Sequence, residues 1–134
     1  MRRREFITLV GSAAVWPAMA RAQTTDRVRA IGVLATFAET DPNLVTFKNR
    51  LQELGWTEAK LRIAIRVAED SERMRTSAAE LVALAPDAIL STTSTTARAL
   101  LDVTSTIPIV AAVTGDPIAL GFTRSMSRPT GNMT

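Results

Sequence analysis

Hydroxyl, carboxylate and aromatic side chains suited to holding a small molecule gather in three stretches of the sequence. They are Thr36 and Phe37 within Ala35 to Glu39, the run Thr92-Thr93-Ser94-Thr95-Thr96, and Gly115-Asp116 within Thr114 to Pro117. Thr93, Ser94 and Thr95 offer hydroxyl donors, Asp116 can accept from an ammonium group, and Phe37 can wall off an apolar portion. Two of the stretches lead into predicted helix N-termini, where free backbone amides and the positive end of the dipole favour a carboxylate or other anion. This is the chemistry of capturing an amino-acid-like solute. Each residue also has a plainer explanation, helix capping for the polar ones and simple core or surface packing for Phe37. The weight therefore falls on the convergence of the three stretches.

Chemistry that transforms a ligand has little support. Cysteine and histidine are both absent, which removes thiolate nucleophiles, disulfides, a lipid-anchored N-terminal cysteine, the commonest metal ligand and the commonest general base. Neither G-x-x-x-x-G-K-[ST] nor G-x-G-x-x-G occurs, and the nucleophile-elbow pattern G-x-S-x-G is missing too. Glu69, Asp70 and Glu72 read as the solvated start of a helix, not as a metal cluster. The expectation is a binding protein with no catalytic step, no cofactor and no metal.

To bring the three stretches together, the chain must fold as an open parallel sheet, and its hydrophobic patterning predicts one. Val28 to Leu34 is an apolar run suited to a buried strand. Asp41 and Pro42 begin a helix whose stripe is Leu44, Phe47, Leu51 and Leu54, with Gly55 ending it. Leu61, Ile63, Ile65 and Val67 alternate with Arg62, Ala64, Arg66 and Ala68, as in an edge strand with one better-solvated face. Ser71 is the predicted cap of a second helix with Met74, Ala78, Leu81 and Ala85 on one side, closed by Pro86. Asp87 to Ser91 is a third strand, and the hydroxyl-rich run turns into a third helix carrying Ala97, Leu100 and Leu101. Pro108 to Val113 is a fourth strand. Gly115-Asp116-Pro117 then starts a fourth helix running to about Met126, and Arg128 to Thr134 is a turn-rich connector.

Strands separated by helices of this length need crossover connections, which gives an α/β fold with helices on both faces and strand order 2-1-3-4. Ligands of such sheets sit beyond the carboxyl ends of the strands, near the reversal of strand order. All three stretches fall there.

Residues 1–22 read as an address. Basic Arg2-Arg3-Arg4 is followed by a moderately apolar stretch from Phe6 to Ala20 and then by Ala20-Arg21-Ala22, the pattern of an export signal cleaved after Ala22. Arg3-Arg4-Glu5-Phe6-Ile7 resembles the twin-arginine signal, with an ordinary basic n-region and an uncleaved membrane anchor as the alternatives, so the twin-arginine export machinery is an expected partner and the periplasm the expected location. The segment also explains the basic composition. Without its four arginines and one glutamate, the formal charge of +3 falls to zero, which argues against nucleic acid as a partner.

Several of these segments together resemble a known family. They are Arg3 to Ile7, the strand VRAIGVL, the helix ending Leu54-Gly55-Trp56, Ser105 to Val110, Gly115 to Gly121 and Arg128 to Thr134. The sequence is similar to ABC transporter substrate-binding proteins of the tryptophan and aromatic-amino-acid uptake type. The resemblance implies two Rossmann-like lobes joined by a hinge, a solute held between them and delivery to an ABC permease in the inner membrane. By motif position, it puts Thr93 to Thr95 and Gly115-Asp116 on the cleft, with Gly131 to Thr134 beginning the passage to the second lobe. Members of the family continue well beyond this point, so residues 23–134 are expected to be an incomplete N-terminal lobe with impaired binding and an unprotected sheet edge prone to self-association. The contrasting expectation is a freestanding exported flavodoxin-like module that binds a partner protein.

Overall fold

The computed structural model describes residues 27–112 and 115–134. The expected export signal, its cleavage point, the twin-arginine motif, and Val113 and Thr114 lie outside the described residues. The element order is β1 (Arg29–Ala35), α1 (Pro42–Glu53), β2 (Leu61–Val67), α2 (Ser71–Ala83), β3 (Ala88–Ser91), α3 (Ser94–Leu101) and β4 (Ile109–Ala111). All strand pairs are parallel, in the order β2-β1-β3-β4. This is the predicted α/β fold and strand order.

Side-chain alternation along the strands divides the core in two. Leu34, Ile89 and Ile109 face α2 and α3, where they meet Met74, Ala78, Leu81, Ala97 and Leu100. Val33 and Ala35 face α1, where Leu44 is buried with Phe37, Phe47, Ile63, Ile65 and Leu90 packed around it. Helices therefore cover both faces. Gly32 allows α2 to lie close to β1, since a methyl group there would come within 3.2 Å of Leu81 and 3.3 Å of Ile89.

Both faces of β2 carry core contacts, because Ile63 and Ile65 pack against the cluster that includes Leu44 of α1, and Ala64 packs against the cluster that includes α2. The better-solvated face expected for β2 is thus partly closed by α2, and Arg66 reaches across it to Glu80 with Nε–Oε2 at 2.8 Å.

The helix starts follow local chemistry. Asp41 Oδ1 accepts from the Asn43 amide at 2.8 Å and Pro42 occupies the first turn of α1, as predicted. Leu54 leaves the expected stripe: it is the C-cap residue and 63% exposed, with Gly55 at φ +88° behind it. In α2 the cap is Asp70, which accepts from Arg73 N at 2.8 Å, and Ser71 is the first helical residue. A carboxylate is the better acceptor for free amides, so the cap falls one residue earlier than expected.

Ala85, expected on the α2 stripe, lies beyond the helix at φ +48°. A β-carbon in this left-handed conformation is strained by about 1 kcal/mol, a cost glycine avoids. Ala85→Gly is therefore expected to raise stability by about 0.5–1 kcal/mol, measured as a higher urea midpoint. An unchanged or lower midpoint would contradict the strain.

The predicted fourth helix does not form. After Pro117 there is one turn closed by Leu120 N to Asp116 O at 3.0 Å and Gly121 N to Ile118 O at 3.0 Å. Gly121 then turns at φ +72°, and the Thr123 hydroxyl donates to Ser125 O at 3.0 Å, a local bond that competes with helical pairing. The expected connector is also different. Residues 132–134 add to the outer edge of β4, with Ile109 N to Asn132 O at 2.7 Å, Thr134 N to Ile109 O at 2.8 Å and Ala111 N to Thr134 O at 2.7 Å. Asn132 Nδ2 holds this segment by donating to Ile107 O at 2.8 Å. That edge of β4 is consequently covered, while the outer edge of β2 is unpaired by any named strand.

Asp87 fastens the amino ends of β1 and β3. It precedes β3, and its carboxylate accepts from Ala30 N at 2.9 Å and pairs with Arg27 at 3.2 Å and Arg29 at 3.4 Å. The Ala30 amide, followed by the two guanidiniums, holds its pKa below the ordinary aspartate value against the opposing effect of desolvation. Because the folded value is lowered, the contribution to stability is complete above the ordinary value and disappears as pH falls through the folded one. Asp87→Asn is expected to unfold at lower urea than wild type at pH 7, with the gap closing below about pH 4. A gap of equal size at pH 7 and pH 3 would contradict the assignment.

Candidate functional site

The carboxyl ends of the strands frame a cleft of about 590 Å³ on the α1 side of the sheet. Its floor is Leu90 of β3 and Ala112 just after β4. Its walls are Phe37 from the loop after β1, Asn43, Leu44 and Phe47 from α1, and Thr92 and Thr93 from the turn before α3. None of these side chains is charged. The lining is an apolar seat with an amide and two hydroxyls at its border, a composition typical of sites for small organic ligands.

The hydroxyl-rich turn is more ordered than a plain loop. Helix α3 begins at Ser94, three residues before the apolar positions that suggested it, because Thr93 and Thr96 form a reciprocal capping box. Thr93 Oγ1 accepts from Thr96 N at 3.2 Å, and Thr93 N donates to Thr96 Oγ1 at 2.9 Å. The Thr96 hydroxyl also lies 2.9 Å from Thr93 O and 2.9 Å from Ser91 Oγ. Ser91 and Thr96 are both fully buried. Thr92 Oγ1 in turn donates to Leu34 O at 3.1 Å, tying the turn to β1. No described buried side-chain polar atom is left without a partner.

The expected site residues are distributed unevenly around this cleft. Phe37 and Thr93 line it. Thr36 is half-buried beside Phe37 but does not line it, and Thr95 points from the first turn of α3 into solvent. Gly115 lies against Ser94: a methyl group on it would be 3.5 Å from Ser94 Oγ. Asp116 is exposed, and its Oδ1 accepts from Ile118 N at 2.9 Å in a local turn. Thr92, at the head of the expected hydroxyl-rich run, lines the cleft as well, and so do Asn43, Leu44, Phe47, Leu90 and Ala112, which sequence reasoning did not place in the site. Phe47 and Leu44 carried a signal, the apolar stripe of α1, but that stripe reads equally as pure core. Among the described residues no cluster of acidic side chains is arranged to hold a metal ion.

A second groove of about 530 Å³ follows the free edge of β2 beside α1, with Glu39, Lys48, Glu58, Arg62 and Arg66 among its lining residues. It is open and strongly charged, and only the first cleft lies where strand order reverses.

A parallel α/β sheet of order β2-β1-β3-β4 with helices on both faces matches one lobe of a periplasmic binding protein. The chain belongs to the family described as ABC transporter substrate binding protein, whose model matches residues 36–134. Similar solved structures include an ABC domain in complex with L-Trp from Streptococcus pneumoniae, 25% identical with a TM-score of 0.72 over 81% of this chain. A conserved domain protein from Vibrio cholerae is 25% identical with a TM-score of 0.73 over 81% of this chain. A ligand-free, open substrate binding protein with adhesive properties from Clostridium difficile, at 24% identity and a TM-score of 0.71 over 80% of the chain, shares the fold. This chain spans 38% of the length of each of the three. No curated protein matches the sequence. The family is one of non-catalytic binding proteins that typically act outside the cytoplasm and hand small molecules to ABC permeases.

Proposed function

We propose that this chain captures a small, amino-acid-like solute in the periplasm for an ABC-type uptake system. The observation that carries the reading is the cleft bounded by Phe37, Phe47, Leu90 and Thr93 at the carboxyl ends of β1 and β3. Its uncharged lining suits a neutral apolar part of the solute, such as an aromatic or branched side chain. The charged ends of that solute are assigned to Ser94, Thr95, Gly115 and Asp116, which follow the strand ends outside the cleft lining, with Thr36 next to Phe37 in the chain. L-Trp, held by the pneumococcal relative, has this division between an apolar ring and a charged head. Residues 1–22 serve as an export signal of twin-arginine type, cleaved after Ala22, and an inner-membrane permease receives the solute.

Titration calorimetry with a panel of L-amino acids, beginning with L-Trp, tests the reading. Binding of an aromatic or large aliphatic member, with acidic and basic members excluded, is the expected result. Equal heats for charged and apolar members, or none for any, would count against it.

A further inference from the structure

We propose that Arg98 is a positioning residue, latching residues 115–123 onto α3 so that Gly115 keeps its place against Ser94, the neighbour of the cleft-lining Thr93. The proposal rests on the solute-binding reading for its functional consequence, although the latch itself stands on contacts that involve no ligand.

Ser94 and Arg98 are one turn apart on α3 and share a face, and the loop lies along that face. At the upper end Gly115 meets Ser94, and Leu120 Cδ1 fills the space where a Gly115 β-carbon would project, at 3.1 Å. At the lower end Arg98 Nη2 donates to Leu120 O at 2.9 Å, and its guanidinium carbon stands 4.8 Å above the centre of the Phe122 ring. The two contacts are of different kinds, a charge-assisted hydrogen bond and a cation over an aromatic face. Gly121 makes both possible, because its positive φ reverses the chain between Leu120 and Phe122. Phe122 is buried in the larger core cluster, so the loop is anchored at its end as well. Without a fourth helix, the latch supplies the restraint that helical pairing would otherwise provide between Pro117 and Thr123.

Hydrogen exchange and L-Trp calorimetry on the full chain test this with Arg98→Ala and Arg98→Lys. Losing the hydrogen bond and the ring contact is expected to speed exchange at Leu120, Gly121 and Phe122 about tenfold in Arg98→Ala, with β1 and β3 unchanged. L-Trp affinity is expected to fall about fivefold, with Arg98→Lys between the two because it keeps a cation but loses the planar fork. Unchanged exchange would overturn the latch, and faster exchange with undiminished affinity would overturn its positioning role. If wild type binds neither L-Trp nor any panel member, the solute reading fails, whereas exchange still decides whether Arg98 holds the loop. If Arg98→Ala loses its fold throughout, Arg98→Lys decides: faster exchange confined to residues 115–123 supports the latch, and none overturns it.

Discussion

Thr96→Val should lower the free energy of unfolding by about 2–3 kcal/mol, although it keeps the shape of the side chain and adds no void. The Thr96 hydroxyl accepts from Thr93 N, lies within bonding distance of Thr93 O and meets Ser91 Oγ, with Thr96 and Ser91 fully buried and Thr93 partly so. Valine strands the Thr93 amide and takes one partner from the Ser91 hydroxyl, so the cost is that of burying polar groups unpaired. Ser91→Ala should cost less, about 1 kcal/mol, because Thr96 retains its two partners on Thr93. Urea unfolding of both single variants and the double variant measures the coupling. A loss under about 0.5 kcal/mol for Thr96→Val would show that the buried network contributes nothing.

Phe37→Ala should weaken binding of the best panel solute about tenfold, the value of one aromatic wall of about 1–1.5 kcal/mol. Phe37 is half-buried and lines the cleft, and like Phe47 it packs against the cluster of Val33, Ala35 and Leu44, so stability is measured beside affinity. Phe37→Leu should recover part of the loss for an aliphatic solute and less of it for an aromatic one, since only a ring stacks on a ring. Calorimetry at matched protein stability separates these cases. Equal affinities for wild type and Phe37→Ala would remove Phe37 from the binding surface.

The strands and the first three helices were legible because each is specified locally. Alternation in Leu61 to Val67, the cap at Asp41 and the stripe Met74-Ala78-Leu81 act within one or two turns of chain. Long-range terms were not. Gly115-Asp116-Pro117 has the composition of a helix start and does make one turn, but Gly121 and the Thr123 hydroxyl end it, and Arg98 and Phe122 stabilise the alternative. The pairing of residues 132–134 with β4 depends on backbone groups some twenty-five residues away, which no local pattern announces. In the site, Phe37 and Thr93 follow from the rule that ligands gather at strand ends. Asn43 and Phe47 reach the same cleft only because α1 folds back over β1, a packing outcome invisible in their own neighbourhood.

The Asp87 clip gives the lobe a division of labour along the strand axis. Its charge and hydrogen bonds tie the two central strands where they begin, while the cleft opens where they end. Substitutions at the cleft can therefore reshape its lining without loosening the anchorage at the base. A lineage or a designer could recontour the open end of such a lobe while its foundations stay untouched.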